Sequence, residues 1–138
     1  MKEIGIGVIG TAFMGKAHSI AYASAGTAFG GQLRPRLEMV CDQDPHIAET
    51  KRAEMGFARC TTDYMDVVND PKVDLISICV PNSVHKEIAI AALAAGKHVW
   101  CEKPMSTNLS DSQAMVDAAA ASDQKTIVGY NYIQNPLV

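Results

Sequence analysis

The sequence predicts an α/β fold, a doubly wound and mostly parallel sheet with helices on both faces. Three observations predict it. Short apolar runs alternate with longer segments of helical period along nearly the whole chain. Two of those runs, LISICV and KTIVGY, are almost continuously hydrophobic, as strands buried on both faces are. The first run passes through closely spaced glycines straight into a helical segment.

Taken in order, residues 3–9 (EIGIGVI) form the first strand and 14–25 the first helix. Residues 26–36, with three Gly, one Pro and no period, are expected to be a loop. A second strand spans 37–41. Asp44 as N-cap and Pro45 in the first turn then open a helix over 45–55, which Gly56 stops. A short helix over 64–69 leads to the central strand, 74–80. The Ala-rich helix over 84–95 ends at Gly96, a strand covers 98–101, and the Ser110 or Asp111 region opens a helix running to Ala121. The last strand spans 126–130.

Composition narrows the function classes. At 138 residues the chain has the length of one domain. Its 48% hydrophobic and 20% charged residues are those of a globular protein. Twelve Lys+Arg against 15 Asp+Glu leave a charge of −3, without the basic excess that binds a phosphate backbone, so nucleic acid is not the expected partner. No apolar run reaches the ~18 residues of a membrane span, and MKEIGIGVIG enters glycine-punctuated strand sequence rather than a leader's apolar stretch. A soluble, cytoplasmic domain follows as the expectation. Cys41, Cys60, Cys79 and Cys101 contain no C-x-x-C pair, and three of them close apolar runs. They read as buried thiols rather than as disulfide or metal ligands, and no metal site is predicted.

The glycines carry chemistry. Gly10-Thr11-Ala12-Phe13-Met14-Gly15 sits where a strand enters a helix, which is the setting of the dinucleotide fingerprint G-x-G-x-x-G, with Ala12 in place of the second glycine. The turn and the helix's free N–H groups would receive a diphosphate, with the Ala12 methyl near its path. The alternative is a strand-to-helix turn with incidental glycines. Asp42, at the end of the second strand, is suited to accept both hydroxyls of an adenosine ribose and to repel a 2′-phosphate, so NAD is favoured over NADP. It lies 27 positions after Gly15 rather than the usual ~20, an excess assigned to the 26–36 loop. The alternative role for Asp42, an N-cap, is filled as well by Asp44, and Arg34 and Arg36 are the residues that could reverse the cofactor preference.

Further on come Pro81-Asn82-Ser83-Val84-His85, then AGKHVWCEKPM and VGYNYIQNP. With VIGTAFMGKAH and VCDQDP these segments resemble the N-terminal, Rossmann-type domain of the Gfo/Idh/MocA oxidoreductases, the family of glucose–fructose oxidoreductase and inositol 2-dehydrogenase. The resemblance covers essentially the whole chain. It implies an NAD(P)-binding domain over 1–138, with its core in about 1–130 and 131–138 crossing to a substrate domain that these residues do not include. It also implies a sugar or polyol dehydrogenase that moves hydride between a secondary alcohol and the nicotinamide, and leaves homo-oligomers open. Lys103 matches the family's lysine beside nicotinamide and substrate, and is the catalytic candidate. Pro104 holds Lys103 in extended geometry. Glu102 is assigned either to a neighbouring cation or to the nicotinamide ribose. Pro81 and Asn82 match the turn beneath the riboses, His85 the histidine that follows it, and Asn131 a position approaching the nicotinamide. For His85 a helix-start histidine without a role is the alternative, and His18 is read as core or interface packing.

Where the family usually has Arg-Phe after NY, Ile133-Gln134 stand here, so the resemblance does not carry over an arginine contact to substrate at these positions. The family's acid/base histidine belongs to the second domain, so the 138 residues alone are expected to bind dinucleotide without appreciable turnover. A non-catalytic NAD(H)-binding regulatory module is the other function class the sequence allows. A methyltransferase-like domain would share the glycine turn and the acid but leaves EKP and PN-x-x-H unexplained.

Overall fold

A computed structural model describes residues 2–134. The elements are β1 (Lys2–Ile9), α1 (Phe13–Phe29), β2 (Leu33–Cys41), α2 (Pro45–Met55), β3 (Arg59–Thr61), α3 (Tyr64–Asn69), β4 (Leu75–Ile78), α4 (His85–Ala94), β5 (His98–Cys101), α5 (Leu109–Ala120) and β6 (Thr126–Val128), with 3-10 turns at Asn82–Val84 and Asn131–Gln134. The six strands form one all-parallel sheet in the order β3-β2-β1-β4-β5-β6. This is the doubly wound arrangement, with a switch point between β1 and β4.

Alternation along each strand sorts the side chains onto two cores. Ile6 and Val8 of β1 and Val40 of β2 join Phe57, Met14, Tyr22 and Met55 on the side of α1 and α2. Ile9, Ile76, Ile78, Val99 and Cys101 meet Val67, Ile88, Leu93 and Met115 on the side of α3, α4 and α5. Cys41, Cys79 and Cys101 are buried at strand ends, where burial first, then nearby acidic groups, push each thiol up to about 12. Cys60 is half-buried within β3.

Several boundaries differ from the sequence reading. Residues 33–36 are strand, not loop: Lys2 to Gly5 pair with Leu33 to Arg36. Pro35 is accommodated because β3 pairs only with Met39–Cys41, which leaves this stretch of β2 an edge where a missing N–H costs no ladder bond. The first helix runs on to Phe29 before Gly30 ends it in left-handed geometry, so helix and strand, not a loop, account for the long Gly15-to-Asp42 spacing. The sequence predicts no strand at β3. Its three residues, Arg-Cys-Thr, carry no apolar run. The last helix is capped by Asn108, whose side chain accepts the Asp111 N–H at 2.9 Å, rather than by Ser110 or Asp111. Asp44 caps α2 as predicted, accepting the N–H groups of His46 and Ile47. Within β2 the register against β1 slips by one residue, from Ile6 opposite Leu37 to Gly7 opposite Met39. Of the expected crossover, residues 131–134 form the final 3-10 turn, and 135–138 lie outside the described residues.

Glu38, the residue skipped by that slip, is buried yet charged. Arg36 reaches it from β2, and Arg59 from β3 donates through Nε at 3.1 Å and Nη2 at 2.6 Å. Arg59 also meets Asp70 at 2.5 Å. Burial works to raise the Asp70 carboxyl, but the Lys72 N–H and the Arg59 guanidinium outweigh it and hold the group below its usual value. Arg59→Met should therefore lower stability by about 2 kcal/mol at pH 7, less than the ~3–5 kcal/mol for breaking a fully buried pair because Arg59 is 42% exposed. A group with a lowered folded-state pKa contributes fully above its unfolded value and loses that contribution as pH falls through the folded one. Urea denaturation at several pH values should show the difference between wild type and variant shrinking below about pH 4.

Candidate functional site

Because every strand runs the same way, β1, β2, β4, β5 and β6 all end on one edge of the sheet. The turns leaving those five ends hold the residues singled out from the sequence.

Leaving β1, Gly10 takes φ 97° and donates its N–H to Cys41 O at 2.9 Å. A Cβ at Gly10 would lie 2.5 Å from Cys79 O, and one at Gly15 would lie 1.9 Å from Gly10 O. Both must be glycine for α1 to start this close to β1. The start of α1 has Ala12 at the N-cap with no side-chain hydrogen bond and no acidic residue in the first turn. Its first N–H groups are thus free for an anion, in a cradle that side chains would fill. Phe13 is 84% exposed beside it, and Met14 turns inward to the α1-side core.

Asp42 comes abreast of this turn, since Ile9 pairs with Cys41. The Thr11 hydroxyl donates to one Asp42 oxygen, and the Asp44 N–H reaches the other at 3.2 Å. These contacts hold the carboxylate while leaving acceptor capacity for a diol. Asp42, Asp44, Asp63 and Asp66 gather at the ends of β2 and β3, and Asp42, Asp63 and Asp66 help raise the Cys41 thiol. Arg34 and Arg36 pair with Glu3 and Gly5 at the opposite end of the sheet, about 26 and 20 Å away from Asp42 at ~3.3 Å per residue. There Arg36 is engaged with Glu3 and Glu38.

Beyond β4, Pro81 leads into the 3-10 turn that begins at Asn82. His85 opens α4 and is 1% exposed, with Nε2 2.8 Å from Val80 O and Nδ1 3.1 Å from Pro104 O. Its ring ties the turn after β4 to the turn after β5 instead of facing solvent. At the end of β5, Glu102 donates its N–H to Ile78 O at 3.0 Å and turns its carboxylate inward, while the Lys103 side chain is exposed. The Lys103–Pro104 peptide is cis. After β6, Gly129 donates to Cys101 O at 2.9 Å, and Asn131 follows on the exposed final turn.

The sequence reading missed what lies beneath the Glu102-Lys103 turn. His18 of α1 is 7% exposed and meets Glu102, with Nε2 2.9 Å from Oε1, and Ser77, with Nδ1 3.1 Å from Oγ. Ser77 also lies 2.7 Å from the Tyr22 hydroxyl. Burial pushes that hydroxyl up to about 12 even though the Ser77 bond works the other way. Two signals were available: Ser77 interrupts the apolar run LISICV, and His18 and Tyr22 stand four apart on one helix face.

The turn thus has unpaired helix-start N–H groups that could hold an anion, Asp42 has acceptor capacity that could take a diol, and Lys103 stands at the far side of the switch point. Comparison with known proteins shows the family. A family model described as "Oxidoreductase family, NAD-binding Rossmann fold" (GFO_IDH_MocA) matches residues 4–130. Levoglucosan dehydrogenase of Pseudarthrobacter phenanthrenivorans is 37% identical across the whole chain, and myo-inositol 2-dehydrogenase of Thermotoga maritima is 29% identical over 91% of it; each match takes in 36% of the relative's length. Among solved structures, an NAD-binding oxidoreductase from Klebsiella pneumoniae superimposes with a TM-score of 0.93 at 42% identity, over 97% of this chain and 36% of that one. Levoglucosan dehydrogenase in complex with NADH and L-sorbose gives 0.95 at 36% identity, over 99% of this chain and 37% of that one. The chain therefore spans little more than a third of these relatives, and it belongs to the Gfo/Idh/MocA oxidoreductase family as its NAD-binding Rossmann domain.

Proposed function

We propose that this chain is the cofactor half of a cytoplasmic dehydrogenase that oxidises a secondary alcohol of a sugar or polyol, with residues 1–138 as the NAD domain and a second domain completing the substrate site. The observation that carries this reading is the convergence of the Gly10–Gly15 turn, Asp42 and the Glu102-Lys103 turn on one sheet edge, on either side of the switch point. The relatives' names point to cyclic, polyhydroxylated substrates.

The residues divide the work. Gly10, Thr11, Ala12, Phe13, Met14 and Gly15 hold the diphosphate, Asp42 the adenosine ribose, and Pro81, Asn82 and Asn131 border the nicotinamide half. NAD, when bound, supplies the hydride acceptor. Lys103 is the catalytic residue of this half: its ammonium donates to the reacting hydroxyl oxygen and stabilises the negative charge that grows there as the C–H bond breaks. The hydroxyl proton passes to a base of the second domain.

Asp42 and the acidic groups around it set the choice of cofactor. Titration calorimetry should show NAD binding at least ~10-fold more tightly than NADP, a difference of ~1.4 kcal/mol, and Asp42→Ala should narrow that ratio. Equal or tighter NADP binding in the wild type would overturn the assignment of Asp42. In the complete dehydrogenase, Lys103→Ala should lower kcat by about 10²-fold or more while NAD affinity changes less than about threefold, as steady-state kinetics and a parallel titration would show.

A further inference from the structure

The polar group beneath Lys103 is out of keeping with the rest of the core. On the α3, α4 and α5 side, the neighbouring positions of β4 and β5 (Ile76, Ile78, Val99, Cys101) belong to the apolar core. On the α1 side the same strands present Ser77, Trp100 and then Glu102, against His18 and Tyr22. A carboxylate 6% exposed is costly without donors, and a well-packed apolar group would serve stability as well or better. Its position is what distinguishes it. Among the described residues, His18 is the side chain that bonds Glu102, through Oε1, while Oε2 accepts the Lys103 N–H at 3.3 Å. The carboxylate therefore bridges α1 to the backbone from which the Lys103 side chain projects.

Two further contacts restrict the bridge. Trp100 packs edge-on against the His18 ring at 4.9 Å between centroids, and Ser77 engages its Nδ1, so the ring is held at both its nitrogens and on its flank. Gly129, where the chain leaves β6, lies directly against the carboxylate: a Cβ there would come within 2.5 Å of Oε1 and 3.0 Å of Cδ. Any side chain at 129 would push Glu102 off His18.

We propose that His18 is a positioning residue: by holding Glu102, with Gly129 leaving room for the carboxylate, it fixes the Lys103 backbone at the nicotinamide end of the site. The inference rests on the NAD reading above. ADP, which contains the adenosine and diphosphate but no nicotinamide, separates the two. ADP uses the β1–β2 side of the switch point and at most the turn after β4, whereas NADH also reaches the turns after β5 and β6, where Glu102, Lys103 and Gly129 lie.

The test is calorimetric titration of NADH and ADP into the chain and its variants. His18→Ala should weaken NADH about tenfold, the cost of re-ordering the freed Glu102 and Lys103 side chains on binding, and leave ADP within about twofold. Gly129→Ala should reproduce that pattern. His18→Gln, whose amide can still donate to Glu102, should recover NADH affinity to within about threefold of wild type. Equal weakening of both ligands, unchanged NADH binding, or a glutamine variant no better than alanine would each reduce His18 to a packing residue and overturn the proposal. If His18→Ala does not fold, Gly129→Ala and His18→Gln decide the matter by the same criteria. A wild-type chain that binds neither ligand overturns the NAD reading itself, and this inference with it.

Discussion

Parallel pairing of β1 with β2 on one side and β4 on the other is the constraint on which the rest of the molecule depends. Each parallel neighbour needs a helical crossover, and right-handed crossovers leaving β1 and β4 in opposite directions place helices on both faces. The strand order then opens a crevice between the carboxyl ends of β1 and β4, the one place where no crossover runs over the sheet edge. The approach of α1 to β1 tightens this geometry. Gly15 against Gly10 O brings the helix start down onto the strand end, so the N–H groups that would receive a diphosphate under the proposed function are built into the first crossover and need no separate loop.

Legibility in the sequence followed local chemistry. Apolar runs, the Asp44-Pro45 cap and Gly56 are signals confined to a few residues, and α2 and α3 lie where those signals put them. Residues 33–36 read as loop because Pro35 and the preceding Gly30-Gly31 are loop signals, whereas in the fold Pro35 needs only a sheet edge, and that edge exists because β3, at Arg59–Thr61, stops short of it. β3 itself has no apolar pattern of its own; it is a strand because the exposed flank of Met39–Cys41 offers a ladder and Arg59 meets Glu38.

The candidate site shows the same division. The glycine turn, Asp42 and EKP are contiguous motifs, legible as sequence. The His18–Glu102 contact joins residues 84 positions apart, with Ser77 and Gly129 contributed by two further elements, and no local pattern announces a partnership of that range. Electrostatics was only half visible. The acid at the end of β2 could be read directly, but that Arg34 and Arg36 stand at the other end of the same strand depends on those residues being strand at all.

The one-residue slip between β1 and β2 acts as a vernier. Below it residue i of β1 faces i+31 of β2, and above it i+32. Without the extra residue, Gly10 would stand opposite Cys41, and Asp42 would be carried one step, ~3.3 Å, past the glycine turn, with its side chain on the other face. Glu38 is that extra residue, and it is held by Arg36 and Arg59 on the β2–β3 side of the sheet. An extra residue whose buried carboxylate is tied to two half-exposed arginines thus sets the span between the group that would hold a ribose and the turn that would hold its phosphates, much as a shim at the hinge sets where a door meets its latch.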